Sequence, residues 1–519
     1  MRHLQGLTVL VLGLGESGLA MAAWCARLGA TVRVWDSRQQ PPQAEALVLA
    51  VPGATLATGE LCTDALQGVQ LVLKSPGLSP RDERIAALLK AAREQGLAIQ
   101  GELDLFWRAL ADLTAERGDA PQVVAITGTN GKTTTTALAA LLIERCGRRV
   151  ATAGNIGPTM LDTLAAALDA RDEDGQSVPL PEVWVLELSS FQLDSVKDFE
   201  PAAATVLNVT QDHLDWHGTM DAYAGAKTRV FGPSRAKGAM VLNRDDALVA
   251  AMAPQPVVAR GKSRAIERDV IFFGLDVPQR AGDFGLVVES GMTWLVRAVS
   301  DDEPGRRRRG GAVATDELHL QRLMPADALR IRGRHNAANA LAALALASAI
   351  GCPLAPMLHG LREYRGEPHR VAFVASIGGV EAFDDSKGTN VGATVAALNG
   401  LGADKSPGKL IVILGGDGKG QDFAPLVAPL QQHVRAAALI GKDAATIEAA
   451  LAGTGIALQR HDTLEAAVDW CFSVAREGDA VLLSPACASL DMFRNYGHRA
   501  EVFVAAVQAR AADRGEVGA

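Results

Sequence analysis

The residues best placed to do chemistry are a lysine and a threonine that open a helix. Val123–Thr127 is a β-branched, apolar run, and it ends in Gly128-Thr129-Asn130-Gly131-Lys132-Thr133-Thr134 before an Ala- and Leu-rich stretch. A strand, a glycine turn and a helix in that order aim backbone N–H groups and a helix N-terminus at phosphate oxygens. Residues 128–134 are therefore expected to bind ATP, with Lys132 on the β/γ-phosphates and the Thr133 hydroxyl on Mg²⁺. The longer form of this pattern would want glycine at 126, where Ile126 stands, so only the shorter form is present. An incidental lysine in a glycine turn is the bland alternative, and the flanking strand and helix weigh against it.

Mg²⁺ prefers oxygen ligands and usually keeps several waters. Val183–Glu187 is a second apolar run with a carboxylate at its end, where a metal-facing acid beside a phosphate loop belongs. Ala204–Leu207 leads into Asn208-Val209-Thr210-Gln211-Asp212-His213-Leu214-Asp215-Trp216-His217. One histidine there would more often be structural; two acids and two histidines after a strand suggest a site. Composition alone makes Lys227 a surface lysine. Near the N-terminus, Gly13-Leu14-Gly15-Glu16-Ser17-Gly18 follows an apolar run, and Asp36 ends the next one. That is a dinucleotide fingerprint with Asp36 on a ribose hydroxyl, although any nucleoside diphosphate could use the same turn. Glu16 is unwelcome beside a diphosphate unless it caps the helix or meets a base.

These turns need strands and helices to carry them. Leu7–Leu14, Val123–Thr127 and Leu410–Leu414 each run into a glycine turn and then into helix-like sequence. Alternating strands and helices predict an α/β protein with mostly parallel sheets. At 519 residues three domains are expected. They are a Rossmann-like one over 1–115, a central P-loop ATPase domain over 116–366, and a Rossmann-like one over 367–519. Polar stretches at 113–122 and 364–369 read as linkers and hinges. Val277–Thr315, with acids at 301–303, Arg306–Arg309 and Gly310-Gly311, reads as an exposed, mobile insertion.

Composition excludes several classes. Lys+Arg 51 against Asp+Glu 59 gives −8, which disfavours a general nucleic-acid binder. The six cysteines are scattered without a C-x-x-C pair, so neither a zinc site nor a disulfide framework is expected. Asn336–Leu358 carries no charge, but its alanines, Asn339, Gly351, Pro353 and Pro356 favour a buried helix over a membrane span. A cytoplasmic monomer is expected, with no membrane or nucleic-acid partner.

The segments TGTNGKTTT (127–135), LELSSFQL (186–193), NVTQDHLDWHG (208–218), Ala226-Lys227 and GRHNAANALAALALA (333–347) together resemble the Mur ligase family of ATP-dependent amide-forming enzymes. FDDSKGTN (383–390), GGDGKG (415–420) and LLSPACASLDMFRNYGHRAEVF (482–503) resemble the branch that adds D-glutamate to UDP-N-acetylmuramoyl-L-alanine. An Asp-Asn-Pro-Arg motif of the diaminopimelate-adding branch is not found. The resemblance implies ATP and two Mg²⁺ ions. Thr133 with Glu187 would hold one ion, and His213 with a carbamylated Lys227 the other. Asn339 would meet adenine, Arg370 the phosphates and Asp385 the ribose. Lys387, Thr389 and Lys419 would face an acyl phosphate and the incoming amino acid. Ser489, Leu490 and the backbone at Tyr496 would hold D-glutamate; Tyr496 stands where the family commonly has Phe. Gly15, Glu16, Ser17, Asp36, Ser37, Arg38, Ser75, Pro76 and Gly77 would contact the uridine diphosphate, with Asn155 and His213 near the same substrate.

Three other readings are weighed. A nicotinamide dehydrogenase explains residues 1–40 and leaves Lys132 idle. A non-enzymatic ATP switch leaves the turn at 13–18 unexplained. Folylpolyglutamate synthetase, a related ligase, would not need a nucleotide-sugar domain in front.

Overall fold

The structure is a computed structural model. It describes residues 3–516 except 119, 234–236, 255–256, 260–261, 265–267 and 301–317. Each of the three glycine turns anticipated in the sequence ends a strand of a different sheet. Strands β1 (Thr8–Leu12), β2 (Thr31–Asp36), β3 (Thr55–Thr58), β4 (Leu71–Lys74) and β5 (Ala98–Gln100) form a parallel sheet in the order β3-β2-β1-β4-β5. The order reverses between β1 and β4. The crevice at that switch point lies beyond the strands' carboxyl ends, where ligands bind in such sheets.

The central sheet contains β6 (Gln122–Thr127), β7 (Val150–Gly154), β8 (Val183–Glu187), β9 (Ala203–Val206) and β10 (Ala239–Asn243). A separate hairpin pairs β11 (Val257–Ala259) with β12 (Lys262–Arg264). The sheet continues through β13 (Val270–Phe273), β14 (Phe284–Glu289), β15 (Met292–Ser300) and β16 (Leu318–Pro325). Its order is β16-β15-β14-β13-β10-β9-β6-β8-β7. The phosphate-loop strand β6 lies between β9 and β8, so the residues ending all three strands converge.

The third sheet, β17 (Ala372–Ile377), β18 (Val380–Asp384), β19 (Leu410–Gly415), β20 (Val434–Ile440), β21 (Ala457–Arg460) and β22 (Ala480–Leu483), runs β17-β18-β22-β19-β20-β21. Only β17 is antiparallel to its neighbour. β18, β22 and β19 are adjacent and parallel, so residues 385–390, 484–490 and 416–420 leave the same edge.

Two expectations change. Residues 284–300 are not a loose insertion: β14 and β15 pair antiparallel and extend the sheet, with Leu295, Val296 and Ala298 buried. Leu295 and Val296 are consecutive, and both are buried because the pairing with β16 shifts register between them; the shift breaks the strict alternation of a regular strand. Arg306–Arg309 lie outside the described residues. The 113–122 linker is shorter than expected, because the helix Glu102–Arg117 continues through its first half. Phe106 of that helix meets Trp184 of β8 edge-on at 5.1 Å, tying it to the central sheet.

The uncharged run splits between two helices, Arg334–Ala349, with Ala340 to Ala347 wholly buried, and Leu354–Glu363. The first packs on the helix Lys132–Arg145 in one apolar cluster, and alanine's small side chain permits that approach. Among the described residues no helix is long and apolar enough to cross a membrane.

Candidate active site

The phosphate loop is held open by neighbours rather than by its own turns. Thr129 N donates to Asn208 O at 2.9 Å and Asn130 N to the Asn208 side chain at 2.8 Å. The Thr129 hydroxyl shares a 3.0 Å bond with the Tyr223 hydroxyl and accepts from Thr210 N at 3.0 Å. Gly131 starts the helix at φ +82°, and a Cβ there would lie 2.5 Å from Asn339 Oδ1. Glycine is required on both counts. Lys132 Nζ donates to the carbonyls of Gly128 and Thr129, both at 2.9 Å. Burial lowers its pKa, while the Glu187 carboxylate opposes that.

Glu187 is buried at the end of β8, where its Oε1 accepts from Asn155 Nδ2 at 3.0 Å. His213 adopts φ +53°, which turns its ring toward the same space, 3.6 Å from Asp212 and edge-on to Phe191 at 4.7 Å. Burial lowers its pKa against the pull of Asp212.

Lys227 is not the surface residue that composition suggests. It is 1% exposed, donates to Gly128 O at 2.8 Å and lies 4.6 Å from the Tyr223 ring centroid. Burial, then the nearby Lys132 charge, push its pKa well below normal. The helix Met220–Thr228 folds back under the phosphate loop, and no local pattern announces that. His217, the second histidine of the cluster, instead pairs with Ser190 Oγ at 2.9 Å, and burial pushes its pKa down to about 4.

The third domain closes the site. Arg370 Nη2 donates to Thr133 Oγ1 at 2.7 Å. Its buried Nε finds no acceptor among the described residues, and Arg370 as a whole lines the site cavity. Asn390 and Asn130 exchange amide bonds of 3.1 and 3.2 Å, and Asn390 also donates to Asp212 at 3.3 Å. Burial lowers the Lys387 pKa to about 8, with Arg370 adding to the effect, and the ammonium lies 5.3 Å from the Tyr496 ring centroid.

Asp385 accepts from Ser484 at 2.7 Å, and burial raises its pKa to about 7. Asn339 bonds Asn336 beside Gly131. Ser489 is buried while Leu490 next to it is 73% exposed. Lys419, at φ +51°, is close enough for its charge to lower the His213 pKa.

A cavity of about 570 Å³ brings these elements together. Thr129–Thr133, Glu187, His213 and Lys227 line it from the central domain, and Arg370, Lys387, Thr389 and Tyr496 from the third. Glu16 lines it from the first domain, and Asn155, just after β7, from the central one. Thr134, Asn339, Asp385, Lys419, Ser489 and Leu490 lie outside its lining.

A second cavity of about 500 Å³ lies at the switch point of the first sheet. Gly15, Glu16, Ser17, Asp36, Ser37, Arg38, Ser75, Pro76 and Gly77 all line it, and Arg84 joins them by bonding the Ser37 hydroxyl at 2.9 Å. Glu16 lines both cavities. Asp36 already accepts from Leu14 N, Arg38 N and the Arg38 guanidinium, which holds its pKa down to about 2. With those four bonds it shapes the turn and aims Arg38, rather than offering free oxygens to a ribose.

Among the described residues no three His, Cys, Asp or Glu side chains converge as a metal cage. The oxygens of Thr133 and Glu187 still fit Mg²⁺ shared with phosphate, which needs only one or two protein carboxylates. Sequence reasoning missed Asn390, Tyr223 and Arg84. Asn390 had a visible local role, an Asn just ahead of a helix, but its bonds to Asn130 span 260 residues.

Models of known families match most of the chain. They are the Mur ligase MurD-like N-terminal domain over 7–101, the Mur ligase middle domain over 126–277, and the Mur ligase glutamate ligase domain over 369–487. The UDP-N-acetylmuramoylalanine–D-glutamate ligase of Albidiferax ferrireducens is 58% identical over 509 residues, covering 98% of this chain and 97% of that protein. The ligase of the same name from Burkholderia mallei is 57% identical over 514 residues, covering 98% of each. Among solved structures, UDP-N-acetylmuramate-alanine ligase MurC from Thermotoga maritima shares the fold at TM-score 0.53 and 19% identity, covering 97% of this chain and 99% of that one. MurF ligase from Thermotoga maritima, in complex with ADP, does so at 0.54 and 17%, covering 99% and 97%.

Proposed function

The chain belongs to the Mur ligase family, and on that premise we propose that it joins D-glutamate to UDP-N-acetylmuramoyl-L-alanine, converting ATP to ADP and phosphate. The observation that carries this reading is the single cavity faced by the phosphate loop, Glu187, His213 and Lys227 on one side and Lys387 and Thr389 on the other. A dehydrogenase would leave that cavity without a task. A folylpolyglutamate synthetase would not need the nucleotide-sugar pocket at residues 13–77.

A carboxylate is a poor electrophile because its leaving group would be oxide. In the proposed reaction the alanine carboxylate attacks the γ-phosphorus, giving an acyl phosphate and ADP. The D-glutamate amine then attacks the carbonyl, and phosphate leaves. Two anions meet in the first step, and at 4 Å like unit charges repel by about 4 kcal/mol at an effective dielectric of 20. Lys132 and Arg370 would offset that repulsion and hold the transferring group.

Thr133 and Glu187 would hold one Mg²⁺, and His213 with Lys227 a second, Lys227 as the carbamate formed when its neutral amine adds CO₂ and loses a proton. Bound there, the ions supply charge neutralisation at the phosphoryl oxygens. Loss of hydration already favours the neutral Lys227 amine. Asn339 would meet adenine and Asp385 the ribose. Lys419, Ser489, Leu490 and the Tyr496 backbone would receive D-glutamate. The acceptor would span both cavities, its uridine diphosphate at 15–17, 36–38 and 75–77 and its sugar near Asn155 and His213. Hinges in the linker that follows the helix ending at Arg117 and near 364–369 would let the domains close and exclude water from the acyl phosphate.

The test is phosphate release from ATP with UDP-N-acetylmuramoyl-L-alanine and a panel of amino acids. D-Glutamate should stimulate release, while L-glutamate, meso-diaminopimelate and D-alanine should not. Lys132→Ala should lose about 10²–10³-fold or more. Undiminished turnover in that variant would remove the ATP-site assignment.

A further inference from the structure

The first domain reaches the histidine loop of the central domain through residues 74–81. β4 ends at Lys74, which is 5% exposed, and Ser75–Gly77 after it line the nucleotide-sugar pocket. The Lys74 ammonium donates to Leu78 O at 2.8 Å and Ser75 O at 3.5 Å, holding that turn from beneath. It also lies 5.4 Å from the Trp216 ring centroid. Ser79 Oγ donates to Trp216 O at 3.1 Å. The Arg81 guanidinium lies so close against Gly218, at φ +83°, that any Cβ there would overlap it.

Trp216 stands three residues after His213. Its ring packs on Phe191 at 4.9 Å, and Phe191 packs on the His213 ring at 4.7 Å. A path of direct contacts therefore runs from the nucleotide-sugar turn through Lys74 to the proposed metal-binding histidine. Burying an ammonium is costly unless it is compensated. The hydrogen-bond acceptors of Lys74 are carbonyls, its third neighbour is an aromatic face, and burial pulls its pKa down to about 8 with Asp194 opposing. A neutral side chain of the same length would avoid that cost but could not join the two carbonyls to the ring.

We propose that Lys74 is a positioning residue. Its ammonium, clamped between the 75–78 turn and the Trp216 ring, sets the spacing between the nucleotide-sugar pocket and His213, so that the acceptor carboxylate meets the phosphate loop in register. This rests on the assignment of His213 to metal and acceptor made above.

The experiment compares wild type, Lys74→Met, Lys74→Arg and Ser79→Ala. It measures kcat, KM for each substrate, half-saturating Mg²⁺, and calorimetric binding of UDP-N-acetylmuramoyl-L-alanine without ATP. Lys74→Met should lose about tenfold to a hundredfold in kcat, the scale of a 1 Å misplacement. Its affinity for the nucleotide-sugar should fall and its Mg²⁺ requirement rise, each by about tenfold or less. KM for D-glutamate should stay within about twofold, since the change lies remote from that subsite. Lys74→Arg, which keeps a cation over the ring, should recover most of the loss, and Ser79→Ala should shift the same quantities by less.

Wild-type kinetics in Lys74→Met, no recovery in Lys74→Arg, or all three KM values rising together with a lower Tm would overturn the proposal. If Lys74→Met does not fold, wild-type behaviour in Ser79→Ala overturns it. A wild-type protein without D-glutamate-dependent phosphate release would refute the function and not the clamp, which the calorimetry reads without catalysis.

Discussion

Asn390 is where the third domain grips the phosphate loop, and its four hydrogen bonds allow two of its tasks to be separated. Oδ1 accepts from Ala393 N at 2.9 Å, capping the helix Val391–Asp404, and from Asn130 Nδ2 at 3.2 Å. Nδ2 donates to Asn130 Oδ1 at 3.1 Å and Asp212 Oδ2 at 3.3 Å. Asn390→Asp keeps the cap, because a carboxylate accepts from Ala393 N as well as an amide does. It loses both donated bonds and sets a carboxylate oxygen where Nδ2 stood, beside Asp212. Two unit charges at about that separation repel by roughly 5 kcal/mol at an effective dielectric of 20.

Relaxation and shared protonation would take up part of this, so about 2–3 kcal/mol should remain, or roughly a hundredfold in kcat/KM. Asn390→Ser also keeps the cap but brings no charge. It should lose about fivefold to tenfold, roughly 1–1.4 kcal/mol for the missing amide contacts. Tm should change little in either variant, and part of the Asn390→Asp loss should return as pH falls and the new carboxyl is protonated. The assay is D-glutamate-dependent phosphate release with parallel melting curves. Equal activity in the Asp and Ser variants, or either within threefold of wild type, would refute the view that this contact closes the site.

Other consequences are as direct. Gly131→Ala places a Cβ 2.5 Å from Asn339 Oδ1 at a positive φ. It should weaken ATP binding by about tenfold or more, since the left-handed backbone alone costs a non-glycine residue roughly 1–2 kcal/mol, and calorimetry with a non-hydrolysable ATP analogue checks this. Asp385 is held protonated in the fold to about pH 7, chiefly by burial. The native state therefore binds the proton more tightly than the unfolded chain, and the stability this group contributes is present below about pH 4 and is lost as pH rises toward 7. Asp385→Asn should accordingly melt higher relative to wild type at pH 8 than at pH 4.5, and an unchanged difference between the two pH values would contradict the burial argument. Asp36→Ala removes four bonds that shape the first glycine turn and aim Arg38. It should raise KM for the nucleotide-sugar about tenfold or more while leaving KM for ATP unchanged, read from initial rates.

Much of the molecule was legible along the chain because its signals are local. The strand–turn–helix at 123–134 needed only a β-branched run, two glycines and Gly-Lys-Thr in order. Glu187 could be placed from the same grammar, as a carboxylate at the end of an apolar strand. So could Asp36, as the acid ending the strand after the first glycine turn; Ser37 and Arg38 beside it came only from the family resemblance. The uncharged alanine run was readable as buried helix for the same reason. The stretch at 277–300 was less legible: its polar, glycine-containing surroundings resemble a loop, and its place in a sheet comes from β15 pairing with β14 on one side and with the far strand β16 on the other.

What the chain by itself determined, then, is the set of turns and the chemistry each can offer. Backbone geometry and side-chain type within about a dozen residues decide both. Only the tertiary structure decided which of those groups share one space. It buries Lys227 under Gly128, brings Arg370 against Thr133, engages both oxygens of Asp36, and joins Asn390 to Asn130 across 260 residues. Burial, charge coupling and hydrogen-bond partnership depend on distance in space. That distance is set when the three sheets turn the carboxyl ends of their strands toward common cavities.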